Sequence, residues 1–141
     1  LITPGGSGAL LLASSLLVDP GKHWLLADPG YPCNRHFLRL VEGAAQLVPV
    51  GPEVRYQLTA DLVAKHWGQD SVGALVASPA NPTGTILTRD ELAGLSDAIE
   101  SADLMRGQRR FSTAMRHGRD HDDRHGLSPS AAHVHHHHRR F

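Results

Sequence analysis

Cysteine is all but missing from this chain of 141 residues. Cys33 stands alone, which excludes an intramolecular disulfide and a cysteine-built zinc framework. So little cysteine fits a reducing compartment, and a cytoplasmic location is expected. Long apolar runs are missing too. The longest, Ala9 to Val18, is broken by Ser14 and Ser15 and falls short of the ~18 apolar residues a membrane span needs. No secretory leader is visible, and the chain opens on Leu1 rather than Met, so it reads as a piece of something longer. Lysine stops at Lys65. Net charge is zero, and no nucleic-acid or membrane partner is expected.

The zero hides an asymmetry. Residues 1–100 carry six Lys/Arg and ten Asp/Glu, a balance of −4, whereas residues 101–141 carry eight and four, a balance of +4, with eight of the eleven histidines. Such a split separates segments of different origin or role. The expected organisation is therefore a folded part over 1–100 and an Arg/His-rich tail over 101–141.

Within the first part, apolar runs and turn residues alternate. Gly5-Gly6-Ser7-Gly8 leads into Ala9 to Val18, apolar nearly all round and hence buried if helical. Asp19-Pro20-Gly21 stops it, and His23 to Ala27 reads as a strand. Phe37, Leu38, Leu40 and Val41 fall at helical spacing, with Gly43 ending that helix. Ala45 to Val50 reads as a second strand, on an edge because of Pro49. After a loop over Gly51 to Leu58, Thr59 is a candidate N-cap for a helix from Ala60 to Trp67. Val72 to Ala77 reads as a buried third strand. Thr88 and Glu91 form a capping box for a helix striped by Leu92, Leu95 and Ile99. Strands alternating with helices predict an α/β fold, with a mostly parallel sheet, flanking helices and right-handed crossovers.

Beyond Glu100 no period of 2 or 3.6 is sustained, and the segment is too poor in apolar residues to offset its ordering entropy, so disorder is expected. His133 and His135 to His138 are able to hold a transition metal through neutral imidazoles. A tail with no evolved role is the preferred account, and no metal site is assigned. A shift of reading frame near residues 100–104 would explain the abrupt change.

Three stretches sit where ligands bind in α/β folds. Gly5-Gly6-Ser7-Gly8 opens a helix, so its backbone N–H groups and the Ser7 hydroxyl suit an anion. Tyr31, in Asp28-Pro29-Gly30-Tyr31-Pro32, follows the first strand and offers an aromatic face. Asn81, in Ser78-Pro79-Ala80-Asn81-Pro82-Thr83-Gly84-Thr85, follows the third and offers an amide donor and acceptor between two prolines. The Asn81-Pro82 bond is a candidate for the cis form. Alone, the Gly-rich and Asn81 stretches are equally ordinary turns, and Tyr31 is read first as a loop tyrosine packed on the core. Together they suit a flat, phosphorylated, heteroaromatic cofactor. The dinucleotide fingerprint fails, because Leu11 stands where its third glycine belongs, and Gly21-Lys22-His23 lacks the P-loop spacing. That argues against a nucleotide-dependent oxidoreductase.

Thr3-Pro4-Gly5-Gly6-Ser7-Gly8-Ala9-Leu10, Asp28-Pro29-Gly30-Tyr31-Pro32-Cys33-Asn34 and Ser78-Pro79-Ala80-Asn81-Pro82-Thr83-Gly84 resemble the class I/II aminotransferases of pyridoxal-phosphate fold type I, over residues 1 to about 100. The resemblance implies part of that family's large domain, with pyridoxal 5′-phosphate as cofactor, amino acid and 2-oxo acid substrates and, in the intact protein, a homodimer. It implies that Gly5, Gly6 and Ser7 hold the cofactor phosphate, that Tyr31 stacks on the ring and that Asn81 bonds the ring's phenolic oxygen. The family's pyridine-nitrogen aspartate, Schiff-base lysine and carboxylate-gripping arginine find no counterpart, since Lys22 and Lys65 both precede the Asn81 motif. No catalytic residue is therefore assigned. The chain alone is expected to be inactive, and the alternative is a non-catalytic α/β module that binds phosphate or cofactor weakly.

Overall fold

The computed structural model describes residues 2–104, together with the backbone of residues 115–116 and 133–134. Its elements follow the expected alternation: α1 (Gly5–Leu17), β1 (His23–Asp28), α2 (Cys33–Leu40), β2 (Ala44–Pro49), a short 3-10 turn (Pro52–Val54), α3 (Ala60–His66), β3 (Ser71–Leu75) and α4 (Arg89–Leu104). The three strands form one parallel sheet in the order β2-β1-β3. β2 lies on an edge, where the missing N–H of Pro49 does no harm.

The helices start and stop for local reasons. Pro20 cannot continue α1, and Gly21, at φ +77°, turns the chain into β1. Pro32 precedes α2 with its φ fixed near the helical value. The end of α2 differs from expectation. Glu42, at φ +59°, takes the left-handed position, while the Glu42 and Gly43 amides bond back to the carbonyls of Arg39 and Leu38. Gly43 is needed for space instead: a Cβ there would lie 2.5 Å from Val18 Cγ1. Thr59 caps α3, its hydroxyl accepting from Leu62 N at 3.2 Å. The Thr88/Glu91 box is closed both ways, by Thr88 N to Glu91 Oε2 at 2.7 Å and Glu91 N to Thr88 Oγ1 at 3.2 Å.

Alternate side chains of β1 divide the core. Leu25 faces a cluster with Val48, Leu58, Val63, Trp67, Leu95 and Ile99, under α3 and α4. Trp24 and Leu26 face the opposite cluster, with Val18, Leu38, Val72 and Leu75 and the half-buried Leu10, Ala13 and Leu17 of α1. Val72 and Leu75 share that face despite odd spacing, because the β1–β3 register slips between His23 and Trp24. The indole of Trp24 lies on Gly73, where an added Cβ would sit 2.6 Å from Nε1.

Three further sequence expectations shift. The all-round apolar α1 is not buried all round: Ser14 is its one fully buried residue, and Leu12 and Leu16 are 51% and 79% exposed. Only the Leu10–Ala13–Leu17 stripe reaches the core, since a helix lying on one face of a sheet has only one side to bury. The helix after the capping box runs on to Leu104, with Ala102 and Asp103 buried, so residues 101–104 belong to α4 rather than to the tail. Farther on, β4 (Met115–Arg116) and β5 (His133–Val134) pair antiparallel within the segment expected to be disordered. The frame change expected near residues 100–104 falls within the last turns of α4, while the rest of 105–141, including the side chains of the histidine cluster, lies outside the described residues.

Candidate functional site

The candidate site residues lie on two loops and one helix start. β1 and β3 are hydrogen-bonded parallel neighbours, so the loops that leave them emerge at the same carboxyl edge of the sheet. That edge is where ligands bind in open α/β sheets.

The first loop carries Tyr31. It begins with a cis Asp28–Pro29 bond and passes Gly30, where a Cβ would meet Ala27 O at 2.4 Å. Tyr31 O then accepts from Asn34 N at 3.2 Å as α2 begins. Tyr31 is 38% exposed. The Cys33 side chain beside it, first as hydrogen-bond partner and then through its charge, holds the Tyr31 phenol above the usual tyrosine range. Tyr31 is therefore a neutral aromatic face at physiological pH.

The second loop carries Asn81. Ser78–Pro79 and Asn81–Pro82 are both cis, and Gly84 takes φ +71°. The loop is closed by Gly84 N to Ala80 O at 2.7 Å and Ala80 N to Thr85 O at 2.8 Å. The buried Ser78 hydroxyl accepts from Leu87 N at 2.9 Å. Gln57 reaches in with Nε2 at 3.3 Å from Ala77 O and 3.0 Å from Thr85 O. Arg55 donates to Ile86 O and ion-pairs with Glu91. Asn81 itself is exposed, and its carboxamide makes no hydrogen bond among the described residues. The loop is thus tied at both limbs and carries an amide that is uncommitted among the described residues.

The helix start is α1, whose first turn contains Gly5, Gly6 and Ser7 rather than following them. Gly5 takes φ +74°, its N–H bonded to Thr3 O at 2.8 Å. Pro4 at the N-cap supplies no side-chain cap, and no acidic residue stands in the first turn. Gly6 and Ser7 are exposed, so their amides and the Ser7 hydroxyl are open to an anion at the positive end of the helix. α1 joins β1 through residues 18–22, so its first turn lies at the end of the helix away from that junction. No hydrogen bond links the three regions to one another among the described residues.

The lysines lie elsewhere. Lys22 precedes β1 and bonds Asp70, which precedes β3, at 2.6 Å, so this pair marks the amino end of the strands. Lys65 is exposed in the last turn of α3. Among the described residues no group of three or more His, Cys, Asp or Glu side chains could hold a metal ion, and no helix is long and apolar enough to cross a membrane. The residues that sequence reasoning missed are Gln57 and Arg55. Both come from an unremarkable loop, and their partners lie 20 to 36 residues away, where no local pattern points.

Residues 1–105 match the family model described as aminotransferase class I and II. Over 104 residues the chain is 39% identical to a valine–pyruvate aminotransferase of Mycobacterium tuberculosis, a match covering 74% of this chain and 26% of that protein. It is 30% identical over 106 residues to a probable N-succinyldiaminopimelate aminotransferase of the same species, covering 74% and 27%. The chain thus spans about a quarter of the length of these relatives. Among solved structures, an aminotransferase from Mycobacterium tuberculosis superposes with a TM-score of 0.68 at 30% identity, over 81% of this chain and 35% of that one. An aspartate aminotransferase from Thermus thermophilus shares the fold, with a TM-score of 0.71 at 22% identity, over 81% of this chain and 28% of that one.

Proposed function

The chain belongs to the class I and II aminotransferases, and on that premise we propose that it forms one wall of a pyridoxal 5′-phosphate site in a protein moving amino groups between an amino acid and a 2-oxo acid. The observation that carries the reading is the shared edge: Tyr31 and Asn81 leave adjacent parallel strands on loops of fixed shape, with the Asn81 amide uncommitted among the described residues.

The residues fit the group. The amides of Gly6 and Ser7, with the Ser7 hydroxyl, receive the phosphate dianion, and Gly5 at positive φ brings the backbone into that turn. Tyr31 covers one face of the ring and excludes water from it. The Asn81 amide donates to the ring's phenolic oxygen and fixes the ring's rotation. When bound, the cofactor supplies an aldehyde for the substrate's amino group and a ring that withdraws electrons from it. Asn81 and Tyr31 orient; neither is placed to move a proton. Lys22 is committed to Asp70 at the opposite end of the strands, and Lys65 stands exposed on α3, so neither is proposed as the covalent anchor. By itself the chain is therefore proposed to hold the cofactor without covalent attachment and without turnover. The homodimer that family resemblance implies is proposed only for the intact protein.

Titration with pyridoxal phosphate, pyridoxal and inorganic phosphate, followed by quenching of Trp24 and Trp67 fluorescence, tests this reading. Pyridoxal phosphate is expected to bind at least about tenfold more tightly than pyridoxal, since charge-assisted bonds contribute about 1.5–3 kcal/mol. Ser7→Ala should weaken only the phosphorylated ligand. Equal affinity for the two ligands would sink the proposal. A stoichiometric, borohydride-trapped adduct on Lys22 or Lys65 would refute its non-covalent part.

A further inference from the structure

The loop that presents Asn81 is closed at its base from another part of the chain. Gln57 is only 3% exposed. Its Nε2 lies 3.3 Å from Ala77 O, before the loop, and 3.0 Å from Thr85 O, at the loop's far end. Two carbonyl oxygens can only accept, so the group facing them is the amide NH₂, and a carboxylate in its place would be repelled. Nε2 also lies 3.1 Å from Thr85 Oγ1, which in turn lies 3.0 Å from Thr83 Oγ1. The connection therefore ends two residues from Asn81.

The approach of Gln57 is built into the backbone. Arg55 and Tyr56 both adopt the left-handed conformation, at φ +54° and +57°. Side-chain-bearing residues rarely do so, and two in succession persist only where the surroundings hold them. Here the turn is held by Tyr56 N to Gly51 O at 2.9 Å and Gln57 N to Val54 O at 3.0 Å.

We infer that Gln57 is a positioning residue for Asn81: it ties the two limbs of the loop together and so fixes where the Asn81 amide meets the cofactor ring. The inference rests on the reading of Asn81 as the ring-facing amide. Gln57 touches no part of the ring and acts only through the loop.

The test is a double-mutant cycle in the full chain with Gln57→Met, which keeps the volume and removes the donors, and Asn81→Ala. Two probes are titrated by tryptophan quenching: pyridoxal 5′-phosphate and its 3-deoxy analogue, which lacks the oxygen that Asn81 would bond. Each single variant is expected to bind pyridoxal phosphate about five- to tenfold more weakly, the double variant no more weakly than Asn81→Ala, and all of them to bind the deoxy analogue like the wild type. The inference is overturned if Gln57→Met binds pyridoxal phosphate normally, if its loss adds in full to that of Asn81→Ala, or if it weakens both probes equally. If the wild type binds no pyridoxal phosphate, or Asn81→Ala changes neither affinity, the reading of the site has failed and the inference with it. Should Gln57→Met not fold, Gln57→Glu serves. Its carboxyl regains one donor when protonated, so its deficit against wild type at the same pH should shrink as pH falls through that carboxyl's titration. A deficit independent of pH would overturn the inference.

Discussion

A methyl group at Gly73 would sit 2.6 Å from Nε1 and 2.8 Å from Cδ1 of Trp24. Trp24 is itself buried, in the central strand of the sheet, and has no open side to retreat to. Gly73→Ala should therefore cost about 1–3 kcal/mol, the usual range for overpacking, read as a lower urea midpoint with an unchanged slope. Glu91 shows a charge effect of known sign. The Thr88 N–H, then the Arg55 guanidinium and the Thr88 hydroxyl, hold its carboxyl below the usual range. The folded value lies under the unfolded one, so its contribution is full above the unfolded value and disappears as pH falls through the folded one. Glu91→Gln keeps an acceptor for the cap but loses the charge. The wild type's stability advantage over it should be present at neutral pH and vanish in acid, as followed by thermal unfolding across pH. An advantage that grew in acid would contradict the bonds drawn at Glu91.

Among the elements, α1 departs furthest from its sequence. Its leucines run round the whole helix, but only Leu10, Ala13 and Leu17 meet the core, leaving Leu12 and Leu16 outward. A polar replacement at Leu16 should change unfolding stability by no more than about 0.5 kcal/mol, because that side chain is mostly in solvent, and one at the half-exposed Leu12 by about 1 kcal/mol at most. They should also lower self-association, measured by sedimentation over a range of concentrations. A large loss of stability would mean that the outer face is covered in solution. β1, α2, α3 and the start of α4 were legible because each is bracketed by residues with one local use: Pro20 and Gly21 before β1, Pro32 before α2, and the capping threonines Thr59 and Thr88. What was not legible depends on contacts across the sheet. The reason for Gly43 is Val18, not its own φ, and the extent of α4 beyond Glu100 reflects burial of Ala102 and Asp103 that composition does not reveal.

For the molecule as a whole, the alternation of helix and strand was readable and so was the family, because the turn motifs at Gly5, Tyr31 and Asn81 lie at element ends whose positions topology dictates. The support beneath the Asn81 motif was not readable. Gln57 lies 20 residues from Ala77 and 28 from Thr85, and nothing in its neighbours in sequence distinguishes it from a surface glutamine. The placement of β1 between β2 and β3 has a kinetic side as well. β1 and β2 are close in sequence, joined by a single short helix, and can pair as a β-α-β unit soon after both exist. β3 must then close a much longer loop onto the free side of β1 before Gly73 can receive the Trp24 ring. Because loop-closure entropy has to be met before distant contacts form, the β1–β2 unit should assemble first and β3 dock onto it. The carboxyl edge from which the Tyr31 and Asn81 loops both leave would then be among the last features of the fold to appear.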